Sequence, residues 1–361
     1  MKKNKSELRF DFINQNWIVV AEGRAKRPES FKIKSTVLAT EEQKKEQEAS
    51  CVFCQIFAHP AHFEKDIIVL PNKFPAFQPS PDAQLSTKWS WLNKWRKPLA
   101  KQFAYNALKN STGFFAPSFK QNRFFQTVPA VGFQEVIVLK EHYCQLSDLT
   151  KEQFVALLNI YQQRYENLSK MAGVNYISLF HNQGKTAGAS LEHPHSQIIA
   201  IPFFDLDLQR ALDSAKSFYQ QHNLCLFCAL NRAEKSSDKS RIIWKNKNFL
   251  AFCPFASRVN FQVVIAPQNH LPYFEKITEE EKNDLAEIFQ IILLKIKKGL
   301  NNPDYNFYLK TAPCDGKEYP FFHWHFTIMP KTSVWAGFEL GAGIEIITIS
   351  PEKAAEYLRK Q

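Results

Sequence analysis

Residues 134–140 carry an unbroken apolar run, Val136-Ile-Val-Leu139, between polar residues, and it ends just before His142. A short apolar run rich in β-branched residues predicts a strand. Thr150, with Gln153 three residues on, is a capping box and opens a helix predicted to close near Gly173. The next apolar run ends as a strand at Asn182, and the chain re-enters a strand carrying His193-Pro194-His195. The same order then returns. Residues 261–267 read as a strand before His270, and Thr278 with Glu281 opens a long amphipathic helix to about Gly299. A strand-like run at 306–309 precedes His323-Trp324-His325. The tail adds a strand over 344–350 and a helix begun by Pro351 at its favoured first position.

The pattern is an internal repeat. His142 to Thr150 and His270 to Thr278 are both 8 residues, and the steps to His193 and His323 are 51 and 53. Each copy is preceded by a Cys-x-x-Cys pair, Cys51/Cys54 and Cys225/Cys228. One interval differs: Cys54 to His142 is 88 residues, Cys228 to His270 only 42. The excess points to an insertion at about 79–125. Strands alternating with one long helix per copy predict an α+β fold of two tandem half-domains, with antiparallel sheets backed by helices. The halves are read as 1–205 and 206–361.

Composition narrows the class. Apolar residues are 45% and charged residues 22% of 361, which suits a soluble globular chain. No apolar run reaches a membrane span, and the N-terminus carries no signal-like stretch. Seven cysteines, an odd count, do not suit a secreted disulfide framework, so a cytoplasmic location is expected. The net charge of +11 is concentrated: residues 79–125 hold eight Lys and Arg against Asp82, among Trp89, Trp91 and Trp95. Aromatics among basic residues can stack bases, which suggests a nucleic-acid-binding zinc protein as one reading. Lys-rich stretches are ordinarily solvated surface, and the tryptophans could equally pack a small lid, so nucleic acid is not expected as a partner.

A lone Cys-x-x-Cys suits redox or metal chemistry alike. Here each pair is joined by two histidines in repeated order, which makes a tetrahedral Cys2His2 zinc donor set. Cys51, Cys54, His142 and His193 form one candidate site; Cys225, Cys228, His270 and His323 form the other. Four protein ligands leave no open position, so both zinc ions are expected to be structural. His59, His62 and His222 are expected to be exposed, and His181 to flank the loop that follows it.

Residues 182–197 hold most of the chemistry. Gly184 and Gly188, with small residues between, let backbone N–H groups approach an anion. His195 beside a zinc-held His193 is a fixed imidazole, and neutral imidazole is a good nucleophile whose phosphorylated form is a good leaving group. Gln197 lies on the same strand face and can donate to a phosphoryl oxygen. The alternative is a glycine-containing turn beside a purely structural metal ligand. In the second copy His325 occupies the nucleophile's place, Thr327 replaces the glutamine and no Asn-Gly loop precedes it, so that half is expected to be structural.

The segment from Asn182 to Gln197, ending His-Pro-His-Ser-Gln, resembles the active-site signature of the galactose-1-phosphate uridylyltransferase family, a branch of the histidine triad superfamily. Trp17-Ile-Val-Val, Arg24-Ala-Lys-Arg27-Pro28, Asn72-Lys-Phe-Pro-Ala and Gly337-Phe338-Glu339 resemble further segments of that family; the stretch 79–125 does not. The resemblance implies two histidine-triad-like halves and a double displacement. His195 attacks the α-phosphorus of UDP-glucose, glucose 1-phosphate leaves, and a hexose 1-phosphate such as galactose 1-phosphate takes the uridylyl group from the histidine. By the same likeness Gln197 and Ser190 hold the transferred phosphoryl, and Asn182, Gly184, Asn72, Arg24 and Arg27 contact substrate. Glu339 would hold sugar hydroxyls, across the interface of a homodimer. Ser196 and the second Cys pair also occur in relatives that transfer adenylyl groups, such as ADP-glucose phosphorylase, which leaves an adenylyltransferase open. A nucleotide hydrolase, with water as acceptor, stands behind both.

Overall fold

The computed structural model describes residues 6–22, 31, 40–59, 66–79, 130–236 and 241–361. Arg24, Arg27, His62 and the insertion from residue 80 to 125 lie outside the described residues.

A hairpin of β1 (Glu7–Asp11) and β2 (Asn16–Val20) begins the fold. It is followed by α1 (Glu41–Ser50), α2 (Val52–Phe57) and β3 (Ile67–Pro71). Then come β4 (Phe133–Leu139), α3 (Lys151–Ser169), β5 (Tyr176–Gln183) and β6 (His195–Ile201). Helices α4 (Leu206–His222) and α5 (Leu226–Ser236) precede β7 (Ile242–Lys245), β8 (Phe249–Phe252) and β9 (Val263–Pro267). The chain closes with α6 (Glu279–Leu300), β10 (Tyr305–Lys310), β11 (His325–Pro330), α7 (Gly337–Ala342), β12 (Ile346–Ile347) and α8 (Pro351–Arg359).

Among the described residues, nine strands form one antiparallel sheet in the order β3-β4-β6-β5-β10-β11-β9-β8-β7. Read from its middle outwards, the sheet runs β5-β6-β4-β3 one way and β10-β11-β9-β8 the other. The α+β reading of two matched halves therefore holds, and the halves join along a single seam. At that seam β5 pairs with β10, Phe180 opposite Tyr308 and Asn182 opposite Asn306. Registers on either side put Gln197 opposite Phe180 and Thr327 opposite Tyr308, so the Phe180–Tyr308 pair lies on the pseudo-twofold axis.

Both capping boxes form. The Thr150 side chain accepts from Gln153 N–H, and Thr278 does the same for Glu281. Helix α6 also has Glu279, Glu280 and Glu281 in its first turn and Lys297 and Lys298 in its last, matching the helix dipole at each end. Helix α3 buries Phe154, Leu157, Leu158, Tyr161, Tyr165 and Leu168, and α6 buries Leu285, Phe289, Ile292 and Ile296 on a similar stripe. Both stripes meet one face of the sheet, through Ile137, Ile177, Ile198, Ile265, Phe307 and Phe326, in one core common to the halves. The opposite face is left for the site.

Three boundaries depart from the sequence pattern. Helix α3 ends at Ser169, ahead of Gly173, whose φ of 85° belongs to the turn that follows. The strand expected over 344–350 shrinks to Ile346–Ile347, paired in parallel with Val19–Val20. Its further pairing is ended by Asn260, whose Oδ1 accepts from Thr348 and Ile349 N–H at 2.9 and 3.3 Å. His193 lies ahead of β6, which begins at His195. Among the described residues, no helix is long and apolar enough to cross a membrane.

Candidate active site

Cys51 caps α2 and Cys54 follows on its first turn, so the two thiols face one point. His142 from the turn after β4 and His193 from the turn before β6 meet them there. Cys54 Sγ lies 3.2 Å from His142 Nδ1 and 3.4 Å from His193 Nδ1; Cys51 Sγ lies 3.6 Å from His193 Nδ1. The two Nδ1 atoms are 3.3 Å apart. Edges of a zinc tetrahedron with bonds of about 2.0–2.3 Å measure roughly 3.3–3.8 Å, so the donor set fits such an ion. His193 Nε2 sits 2.6 Å from the Leu139 carbonyl and must donate to it, which leaves Nδ1 as the ligating nitrogen. Without a cation, burial and the Cys51 charge push the Cys54 thiol up to about 12, and burial pulls His193 down to about 4. A dication reverses the first effect by drawing the thiolate out.

The second set repeats the geometry. Cys228 Sγ is 3.5 Å from His270 Nδ1 and 3.6 Å from His323 Nδ1, while His323 Nε2 faces the Pro267 carbonyl at 3.0 Å. The donor atoms of each set, Cys225 included, lie within 4.8 Å of one another. The hydrogen bond from Cys225 lowers the pKa of the Cys228 thiol. His325 is not part of this set.

His195 follows the first set by two residues. Its Nδ1 lies 2.8 Å from the His193 carbonyl, an acceptor only, so Nδ1 carries the proton and Nε2 the lone pair. Burial lowers its pKa from the ordinary histidine value, and Phe53 packs on the ring at 5.4 Å between centroids. The imidazole is thus neutral and held in one tautomer, with its lone pair on Nε2.

Gln197 shares the His195 face of β6. The register His181 opposite Ser196 sets Asn182 beside His195 on that face. Asn306 lies on the other flank of Asn182, across the seam. Asn72 adjoins this group, its N–H donating to the Gln134 carbonyl at 2.9 Å and its Oδ1 accepting from Phe74 N–H. His181 and Ser196 point to the opposite, helix-covered face. There Ser196 Oγ bonds Tyr161 at 2.5 Å and His181 Nδ1 at 3.1 Å, and burial takes His181 to about 3.

The loop after β5 departs from the simple anion cradle expected. Gly184 has φ 83°, and a Cβ there would collide with the Asp304 carboxylate. That carboxylate accepts from Thr186 N–H at 2.7 Å and from its hydroxyl at 2.6 Å. The N–H groups of Ala187, Gly188 and Ala189 close onto Gly184 and Lys185 carbonyls. Their hydrogen bonds shape the loop and are not spare donors. Ser190 stays exposed on the segment that leads to His193.

Glu339 stands apart from this group. Its Oε2 accepts the Ala336 N–H of its own helix α7, and the adjoining Trp335 and Glu345 contact Arg258 in the second half. The second half has its own cavity of about 120 Å³ against His325, Thr327, Tyr308 and Lys310. By register Lys310 faces His325 as Asn182 faces His195. Sequence reasoning missed Asn306, Asp304 and Gln134. For Asn306 the available signal was a polar residue at an alternating position of a predicted strand.

Residues 1–204 match the family described as galactose-1-phosphate uridyl transferase, N-terminal domain. Residues 131–361 match a domain of unknown function, DUF4921. ADP-glucose phosphorylase of Arabidopsis thaliana is 28% identical over all of this chain and 94% of that protein. Galactose-1-phosphate uridylyltransferase of Thermotoga maritima is 25% identical, over 98% of each. The solved structure of a galT-like protein from Arabidopsis thaliana superposes with a TM-score of 0.72 at 26% identity, covering 99% of both chains.

Proposed function

The chain belongs to the galactose-1-phosphate uridylyltransferase family, and we propose on that footing that it is a UDP-glucose–hexose-1-phosphate uridylyltransferase working through a uridylyl group on His195. The observation that carries the reading is the His195 imidazole, proton fixed on Nδ1 by the His193 carbonyl and Nε2 free beside Asn182 and Gln197.

His195 Nε2 attacks the α-phosphorus of UDP-glucose. The P–O bond to the β-phosphate breaks, and glucose 1-phosphate departs with the electron pair. The imidazole becomes cationic when the N–P bond forms, and its Nδ1–H, already bonded to the His193 carbonyl, carries that charge without reorganising. A phosphate oxygen of galactose 1-phosphate then attacks the same phosphorus and returns the electron pair to Nε2, giving UDP-galactose. Gln197, Asn182 and Ser190 hold the phosphoryl oxygens in both half-reactions, Asn72, Gly184, Arg24 and Arg27 bind substrate, and one phosphate site serves both acceptors.

Zinc is the ion we propose for both Cys2His2 sets, where it would hold His142 and His193, or His270 and His323, rigid with no open position. We divide the chain into a catalytic half, 1–205, and a second half, 206–361, with the sugar-recognition tail. A homodimer is supported by exposed Val334, Phe338 and Leu340 around Glu339, which would then reach a partner's sugar. The free thiols Cys144, Cys253 and Cys314 suit the cytoplasm.

A second donor, ADP-glucose, is favoured by the likeness to ADP-glucose phosphorylase. One experiment separates the two. The protein is mixed with single nucleotide sugars, without acceptor, and the intact mass read. A uridylyl adduct from UDP-glucose, absent in His195→Ala, is the expected result. An adenylyl adduct from ADP-glucose moves the assignment to the second reading, and no adduct from any nucleotide sugar removes both.

A further inference from the structure

We propose that Asn306, from the second half, and Gln134 are positioning residues that decide which end of the Asn182 and Gln197 amides faces the transferred phosphoryl. The inference rests on the function proposed above and adds to it the groups that make its two amides donors.

A side-chain amide has an acceptor oxygen at one end and two donor hydrogens at the other, and half a turn exchanges them with little change of shape. A phosphoryl oxygen only accepts. An amide turned the wrong way puts oxygen against oxygen, so the site needs something that fixes the turn. Backbone groups cannot be turned over, and one stands at the head of each pair.

Asn306 Nδ2 lies 2.7 Å from the Ala187 carbonyl oxygen and 2.8 Å from Asn182 Oδ1. The carbonyl can only accept, so the amino end of Asn306 must face it, and the second hydrogen goes to Asn182. Asn182 therefore turns its oxygen to Asn306. Its own amino group is left on the other flank, where His195 stands. The second pair starts from the opposite kind of group. Ala76 N–H donates to Gln134 Oε1 at 2.9 Å, which turns Gln134 Nε2 to Gln197 Oε1 at 3.3 Å. Gln197 is then left with its amino group for the phosphoryl. A carbonyl heads one relay and an N–H the other, yet both end with an NH2 presented to the same cleft.

Acids of equal shape test this, because a carboxylate cannot donate. In Asn306→Asp the inner Asn182 must turn and donate outwards, showing its oxygen to the phosphoryl; Gln134→Glu does the same to Gln197. Removing one such donor costs on the order of 100-fold in rate, and each acid variant is expected to approach that loss in the rate of adduct formation. Asn306→Ala, which frees Asn182 without turning it, should lose about 10-fold. The decisive measurement is the double-mutant cycle: in an Asn182→Ala background Asn306→Asp should cost less than about twofold, and likewise Gln134→Glu in Gln197→Ala. An undiminished loss in both backgrounds, or no loss in the single variants, overturns the proposal. The wild-type adduct is the control: its absence removes the proposed function, and the same cycles read on UMP affinity by calorimetry then decide the positioning claim alone.

Discussion

The Nδ1 of His195 and the carbonyl oxygen of His193 are 2.8 Å apart, so a residue of the first Cys/His set holds the tautomer of the His195 imidazole. The contact spans only Pro194, and displacement of His193 is passed on directly. The equivalent pair in the second half, His325 Nδ1 and the His323 carbonyl, is looser at 3.3 Å and faces no Asn-Gly loop.

The two metal sets should therefore differ in what their loss does. Cys54→Ser and Cys228→Ser are each expected, by elemental analysis, to remove one of the two zinc ions proposed for these sets. Disturbing groups around a metal typically costs about 10–100-fold in activity, and Cys54→Ser should show that loss in adduct formation. Cys228→Ser should keep the rate within about twofold and lower the melting temperature instead. Equal kinetic losses from both would contradict the division between the halves.

Gly184 is fixed twice over, by φ 83° and by Asp304. Gly184→Ala is expected to destabilise the fold by about 1–3 kcal/mol, the usual cost of such a backbone conformation for a residue with a Cβ. It should also slow the adduct, since Asp304 must leave Thr186. Adding Asp304→Ala removes the clash but not the φ, so a urea titration should recover only part of the loss.

Much of this site was legible in the sequence. The Cys-x-x-Cys pairs, the four histidines that meet them and the two capping boxes all depend on spacing within a few residues, or on a pattern repeated once. His195 and Gln197 were legible for the same reason, two residues apart on one strand. The seam was not. Nothing in 176–183 or 305–310 names the other strand as its partner, because a register between distant segments is set by the whole sheet. Asn306 and Asp304, whose roles exist only across that seam, stayed hidden with it. The tail strand failed differently: its apolar run was real, but the Asn260 side chain took the N–H groups that pairing needed.

The charge concentrated at 79–125 can be removed as a unit. Gln78 N–H donates to the Ala130 carbonyl and Gly132 N–H to the Gln78 carbonyl, both at 3.0 Å, so the chain leaves and returns at one point. Replacing residues 81–128 by a linker of about four Gly and Ser residues closes a shorter loop at little cost. The variant is expected to fold and form the adduct while losing seven of eleven net positive charges. A missing adduct in a folded variant would assign the segment to the active site; lost retention on single-stranded RNA would assign it to nucleic acid.

Glu275 gives a pH dependence with a definite sign. Burial raises its pKa above the ordinary carboxylate value, and its Oε2 has no hydrogen-bond partner among the described residues. The folded pKa exceeds the unfolded one, so the folded state holds the proton longer and stability falls as pH rises through that range. Glu275→Gln should gain about 1 kcal/mol at pH 8, the low end for a buried unpaired group. The gain should shrink towards pH 5, read as the shift in urea midpoint. A gain constant with pH would assign it to packing.

The Phe180–Tyr308 pair on the pseudo-twofold axis makes the molecule a duplicate whose copies are no longer interchangeable. One copy carries His195 with Asn182 and Gln197, and the other places Asn306 of its edge strand against Asn182. Neither can be shed. Residues 1–205 alone would carry β5 as an open edge, leaving Asn182 without Asn306 and Thr186 without its carboxylate. A lesion at Asp304 or Asn306, more than a hundred residues from His195 along the chain, would then look in an assay like damage to the nucleophile's own neighbours.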